Sequence, residues 1–237
     1  MRQLILDTET TGFDPKDGHR IIEFAALEMI DRKLTGNYLH LYINPLRDIP
    51  IEATNVHGIT NQKVCNEPSF DQVVGQIVDF IRDSDLIIHN AKFDINFLDY
   101  EFKLHNYQDT NNYINNVIDT LQIARNKFPG SKNSLDALCD RFKINRSNRT
   151  YHGALIDCEL LYDVYLYLTR QQYTLLENES SNHVYQALNI NLNQYNLQNI
   201  HIQDEDLQLH KKIIGDIHSI SNGKCIWYDH DVKLESK

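Results

Sequence analysis

The sequence predicts an α/β fold with a helical tail joined to it through a linker. Two observations carry that expectation. In the first half, short apolar runs of strand length give way to alternating segments of helical and strand period. In the second half, helical periods dominate until a stretch rich in Asn, Ser and Gln interrupts them. A length of 237 residues suits one domain with an appendage, or two small domains, and a hydrophobic fraction of 41% supplies a core.

Gln3–Thr8 reads as the first strand and Ile21–Ile30 as the second. Tyr38–Asn44 reads as the third, because Leu39, Leu41 and Ile43 face one way while Tyr38, His40 and Tyr42 face the other. Leu34–Asn37 (LTGN) is the expected turn between the second and third strands. Phe70, Val73, Val74, Ile77, Val78 and Ile81 form one face of a helix over Phe70–Ile81. Asp85–His89 is a fourth strand, and Ile95–Leu104 a helix with Ile95, Leu98 and Phe102 on one side. Further helices are expected over Thr120–Phe128, Ser134–Phe142 and Gly153–Leu168. Pro129–Gly130 separates the first two, and Ser134 suits an N-cap.

Seven Asn between Asn178 and Asn199 mark Glu177–Gln203 as a flexible linker, since such a stretch buries little apolar surface. Helical period returns over Asp204–Ile220, where acids open the segment and Lys211 and Lys212 follow, in keeping with the helix dipole. A boundary is therefore expected near residue 177, with a domain over 1–176 and a linker and tail over 177–237.

The composition excludes several classes. No run approaches the roughly 20 apolar residues of a membrane span. Gln3–Thr8 is broken by Asp7 and carries no leader-like pattern, so a cytoplasmic protein is expected. The four cysteines, Cys65, Cys139, Cys158 and Cys225, make no C-x-x-C pair, which argues against structural zinc. Cys139 and Cys158 fall in helical apolar patterns and read as buried thiols. The net charge of −10 works against unaided binding of a phosphate backbone, so bound cations or a delivering partner are expected if nucleic acid is the substrate.

Several polar residues stand out. Asp7 and Glu9 lie at the end of the first strand, where alternation puts both on one face and Thr8 on the other. Two such carboxylates repel unless a cation lies between them. The backbone of Thr10-Thr11-Gly12 is a candidate phosphate or nucleotide receiver. Asp94 follows the fourth strand and has two readings, a strand-end ligand or the N-cap of the Ile95–Leu104 helix. His152 precedes the Gly153–Leu168 helix, and Asp157 lies in its early turns. Each is weak evidence alone. Taken together, three carboxylates at strand ends, a fourth on a helix and a nearby histidine form a kit for hydrolysis with two metal ions. The oxygen ligands favour Mg²⁺ or Mn²⁺. The histidine suits a general base, its ordinary pKa of about 6.5 lying near working pH.

These residues resemble the DEDD exonucleases of the histidine subtype, in the ribonuclease H-like superfamily. Asp7-x-Glu9-x-Thr11-Gly12, Asn90-x-x-Phe93-Asp94 and His152-x-x-x-x-Asp157 match the three exonuclease motifs in order and spacing. Val56-His57-Gly58-Ile59, Asn133-Ser134-Leu135-Asp136-Ala137-Leu138-Cys139 and Thr150-Tyr151-His152-Gly153-Ala154-Leu155 narrow the likeness to the epsilon subunits, the proofreading exonucleases of bacterial DNA polymerase III. It runs from Leu4 to about Thr169 and resumes at Gly223–Trp227.

The resemblance implies a mixed five-stranded sheet flanked by helices, with the second strand antiparallel and the fifth near Asn116–Thr120. It implies that Asp7, Glu9, Asp94 and Asp157 hold two divalent ions and that His152 is the base. It places Asp7, Glu9, Thr11, Glu52, His57, Phe93 and Asp157 around the terminal nucleotide of a DNA 3′ end. Gln172-Tyr173-Thr174-Leu175-Leu176 is similar to the peptide by which such subunits bind the sliding clamp, with Gln172, Leu175 and Leu176 as its fixed positions. The apolar set Leu207, Ile213, Ile214, Ile217 and Trp227 reads as a tail that docks on the polymerase catalytic (alpha) subunit. The alternative within the subtype is a stand-alone exoribonuclease, of the oligoribonuclease or tRNA-trimming kind. A scaffold without activity is disfavoured because all five catalytic positions are intact.

Overall fold

The structure, a computed structural model, describes residues 2–146, 151–170 and 204–221. The chain divides into two compact units, Met1–Thr174 and Leu175–Lys237. Gln172–Leu176, the linker and Gly223–Trp227 lie outside the described residues.

In the first unit, β1 (Arg2–Thr10), β2 (Ile21–Ile30) and β3 (Lys33–Tyr42) form an antiparallel meander. Two short helices follow, α1 (Ile51–His57) and α2 (Asn61–Val64), then α3 (Phe70–Ile81). β4 (Asp85–Ile88) lies parallel to β1, and β5 (Asn116–Asp119) parallel to β4, with α4 (Ala91–Leu104) as the crossover between them. Helices α5 (Thr120–Lys127), α6 (Leu135–Phe142) and α7 (Ala154–Leu168) complete the unit. The sheet order is β3-β2-β1-β4-β5, the mixed five-stranded sheet that was expected.

Strand alternation divides the core. Leu4 and Leu6 of β1, with Phe24 and Ala26 of β2, pack against α3 and α4 through Phe70, Ile77, Phe97 and Leu98. Ile5 of β1, with Ala25, Leu27 and Met29 of β2, packs against α7 through Ala154, Cys158, Leu161 and Tyr165. Helices therefore cover both faces of β1, and each face delivers one helix start to its C-terminal end. Arg20 reinforces the α4 side. Its guanidinium donates to both oxygens of the fully buried Glu101, at 2.7 and 2.6 Å, tying the approach to β2 to the last turn of α4.

Three sequence expectations need correction. The turn between β2 and β3 is Asp31–Arg32, with φ of 50° and 64°, a two-residue hairpin loop whose positive φ values match the strand twist. Leu34–Asn37 lies inside β3, where the register shifts opposite Leu27–Met29. The Gly36 signal, at φ 86°, marks that bulge rather than the turn. α4 starts one turn earlier than its apolar period suggested. Asn90 in left-handed conformation is its cap, which removes Asp94 from the N-cap and places it in the first turn. Finally, α1 and α2 have no counterpart in the sequence reading. They are seven and four residues long, too short to show a helical period.

Cys139 and Cys158 are buried, as read from their apolar settings, and Cys65 is exposed. In the second unit, α8 (Asp204–Ile220) forms where the helical period returned. It leaves Leu207, Leu209, Ile213, Ile217 and Ile220 exposed, while Ile214 is buried. No helix among the described residues is long and apolar enough to cross a membrane.

Candidate active site

The site forms at the C-terminal end of β1. Asp7 and Glu9 alternate with the buried Thr8 and Thr10, on the face that meets α7. Thr8 points to the other face and captures Asp94. Its N–H and its hydroxyl both donate to Asp94 Oδ1, at 3.1 and 2.7 Å. Asp94 is 3% exposed, so this anchor fixes a buried carboxylate from the first turn of α4 beside the strand. Asp94 thus comes from a helix. Two of the four carboxylates are on the strand and two on helices, where three strand-end acids were expected.

Asp157 arrives from the opposite face, in the first turn of α7, and is 5% exposed. His152 lies in the loop before that helix and stays exposed. Its Nδ1 is 3.4 Å from Asp157 Oδ2. Ligand atoms of Glu9, His152 and Asp157 lie within 4.8 Å of one another. The loop is braced on the end of α1. His152 N–H donates to Val56 O at 3.2 Å, and the Tyr151 ring covers Gly58. Gly58 is required twice over. Its φ is +69°, and a Cβ there would come within 2.9 Å of Tyr151 Cγ. The Val56–Ile59 signature is thus the seat of the third motif.

Charge crowding defines the electrostatics. Burial, and after it the charges of Asp94, Asp157, Glu9 and Glu23, hold the Asp7 carboxyl well above the ordinary carboxylate range. Burial likewise pushes Asp94 up to about 7, against the opposing hydrogen bonds from Thr8. Carboxylates packed this way either keep protons or share a cation. The donor set is oxygen from four acids with one imidazole alongside, which suits a hard divalent ion. On this ground the residues fit a divalent metal centre.

A cavity of about 290 Å³ adjoins the cluster. Glu9, Thr11, Glu52, His57 and Phe93 line it, five of the seven residues expected around a terminal nucleotide; Asp7 and Asp157 are not part of its lining. His57 is 5% exposed, and burial lowers its pKa, so the ring is neutral near pH 7. Its Nδ1 accepts Ile59 N–H at 3.0 Å, which places the ring proton on Nε2. That nitrogen has no partner among the described residues. Thr11 is oriented by its hydroxyl, which bonds His19 Nδ1 at 3.1 Å and accepts Arg20 N–H at 3.0 Å. The Thr11 N–H already donates to Arg20 O at 2.9 Å as the ladder continues past β1, so it is no phosphate receiver.

Sequence reasoning passed over four residues here: Thr8, His19, Phe13 and Glu23. Phe13 is 91% exposed and lines both this cavity and a neighbouring one. The one visible signal was Glu23, an acid in the apolar run of β2.

The exonuclease family RNase_T matches residues 4–165. The chain is 43% identical over 244 residues to the DNA polymerase III subunit epsilon of Pasteurella multocida, covering 99% of this chain and 96% of that protein. It is 40% identical over 237 residues to the DNA polymerase III subunit epsilon of Escherichia coli, covering 95% and 97%. Among solved structures it is similar to exonuclease X in complex with 5′-overhanging duplex DNA, at a TM-score of 0.56 and 27% identity, covering 70% of this chain and 90% of that one. By family match and by relatives alike over nearly its whole length, the chain belongs to the exonuclease family and, within it, to the DNA polymerase III epsilon subunits.

Proposed function

We propose that the chain is a proofreading 3′→5′ exonuclease, a divalent-metal-dependent subunit of a DNA polymerase that removes mispaired nucleotides from primer 3′ ends. The observation that carries this reading is the convergence of Asp7 and Glu9 from β1, Asp94 from α4, and Asp157 and His152 from the start of α7 at one strand end. Relatives alike along the whole chain, tail included, bear the epsilon name, so the stand-alone exoribonuclease is not favoured.

In this reading Asp7, Glu9, Asp94 and Asp157 hold two ions, Mg²⁺ or Mn²⁺. When bound, these supply Lewis-acid stabilisation of the attacking and leaving oxygens. His152 is exposed enough to meet a water and takes its proton as that water attacks the terminal phosphodiester. The bond to the leaving 3′ oxygen breaks and that oxygen takes a proton from solvent, giving a nucleoside 5′-monophosphate and a strand shorter by one nucleotide with a new 3′-hydroxyl. Asp157, 3.4 Å from His152 Nδ1, orients the ring. Glu52, His57, Thr11 and Phe93 shape the seat of the terminal nucleotide, with the His57 Nε2–H as a donor.

The same reading assigns the tail to the polymerase alpha subunit and Gln172–Leu176 to the sliding clamp. The exposed apolar residues of α8 support the first assignment. Tethering also answers the charge of −10, because an acidic nuclease held beside the primer end needs little affinity of its own. Product analysis tests the chemistry. Single-stranded DNA with a 3′-hydroxyl, incubated with the purified chain and Mn²⁺, should release nucleoside 5′-monophosphates, and a chelator should stop it. Internal cuts or 3′-monophosphates would contradict the reading.

A further inference from the structure

β2 carries a buried acid to which the chemistry above gives no part. Glu23 is 2% exposed and stands opposite Glu9 in the β1–β2 register, on the sheet face that packs against α7. Both of its oxygens are engaged. Oε1 bonds His40 Nε2 at 2.7 Å, and Oε2 accepts Ala154 N–H at 3.1 Å. Ala154 opens α7, and its N-cap, Gly153, has no side chain to offer. The first N–H groups of a helix need acceptors. Glu23 therefore supplies, across 131 residues of sequence, the cap that the helix lacks locally. His40 on β3, paired with Ala25 in the sheet register, holds the other oxygen in place.

We propose that Glu23, held by His40, is a positioning residue for the exonuclease reaction, fixing the start of α7 and with it the placement of His152 and Asp157 against Glu9. Asp157 is bound into the same turn, its N–H donating to Gly153 O at 2.9 Å, and His152 is the residue before Gly153. Loss of the Glu23 acceptor leaves a buried N–H unpaired, and the turn relaxes to satisfy it. The proposal rests on the reading of His152 and Asp157 as active-site groups.

The test compares Glu23→Ala, Glu23→Gln and His40→Ala with the full-length wild type on a 3′-hydroxyl oligonucleotide. Amide hydrogen exchange across 152–158 is followed alongside. Glu23→Ala should lower kcat about 10- to 100-fold at nearly unchanged KM, as a small misplacement of reacting groups does, and speed exchange in the first turn of α7. Glu23→Gln keeps an oxygen acceptor of the same reach and should recover most of the rate. A folded Glu23→Ala protein with wild-type kcat overturns the proposal. So does a Glu23→Gln as impaired as Glu23→Ala, since charge and not the hydrogen bond would then matter. If Glu23→Ala does not fold, His40→Ala decides: a lower kcat with faster exchange supports the proposal, and wild-type kcat overturns it. Unchanged exchange in the Ala variant defeats the positioning whatever the activity, whereas an inactive wild type defeats the exonuclease reading instead.

Discussion

Thr8 and Asp94 are joined twice, through the backbone N–H and the hydroxyl of one residue to a single carboxylate oxygen of the other. This junction links α4, on one face of the sheet, to a strand whose Asp7 and Glu9 face α7 on the other. A hydrogen bond to a charged group is worth roughly 1.5–3 kcal/mol. The Thr8 bonds also hold the Asp94 pKa lower than burial alone would leave it. Thr8→Val should therefore raise that pKa further and make a metal compete harder with a proton. Calorimetric Mn²⁺ titration should show weaker binding than wild type near pH 7, with the gap closing at about pH 9. Equal affinity at both pH values would mean that the hydroxyl has no such part.

Metal-free protein should be destabilised by its own acids as pH rises. The folded-state pKa of Asp7 is raised well above the ordinary carboxylate range by burial and its acidic neighbours, and that of Asp94 is raised to about 7 by burial. Between the unfolded and the folded pKa, the native state binds protons that the unfolded state has lost. Stability from these groups is therefore present at low pH and lost as pH climbs through the folded values. Asp7→Asn in chelator should melt higher than wild type above about pH 7, by roughly 2–4 °C per kcal/mol regained. The difference should shrink as pH falls toward about 3, below the unfolded-state Asp value of about 3.9, where wild-type Asp7 is protonated in both states. A lower melting temperature for Asp7→Asn at high pH would show that the crowding is not felt.

His152→Ala should lower turnover by about 10²–10⁴-fold, the usual worth of a positioned base, while Mn²⁺ binding survives. The geometry makes this a sharp test, because Glu9, His152 and Asp157 are close enough to share an ion. Loss of metal binding in the variant would make His152 a ligand.

Much of the site was legible because its residue types and spacings carry chemistry. Asp7, Glu9, Asp94, His152 and Asp157 were singled out from the chain, and the structure brings them together. The ambiguity of Asp94 came from the helix start. An apolar period shows where a helix packs, not which residue caps it, and the left-handed Asn90 leaves no mark in that period. Gly36 misled for a similar reason: a glycine signals unusual backbone, and turn and bulge both need it. Thr8 and Glu23 were hidden more deeply. Their partners lie 86 and 131 residues away, so only the packed fold shows what they hold.

The tail should be dispensable for chemistry and required for assembly. A chain ending near Ser180 should keep wild-type turnover on short single strands and fail to co-purify with the polymerase catalytic subunit. Replacing Gln172 and Leu175 by Ala in the full chain should abolish clamp binding at unchanged nuclease activity. A truncated chain that still forms the complex would remove the tail as the docking element.

The most direct measurement is digestion of primer–template DNA, paired or mispaired at the 3′ end, by the purified full-length chain with Mg²⁺ or Mn²⁺. Unpairing a terminal nucleotide costs a few kcal/mol, least at a mismatch, so selectivity should follow the melting of the end. The expected result is stepwise shortening from the 3′ end, faster on the mispaired primer, stopped by chelator and nearly absent in a folded Asp7→Ala protein. Equal rates on the two primers, or full activity in that Asp7→Ala protein, would contradict the account.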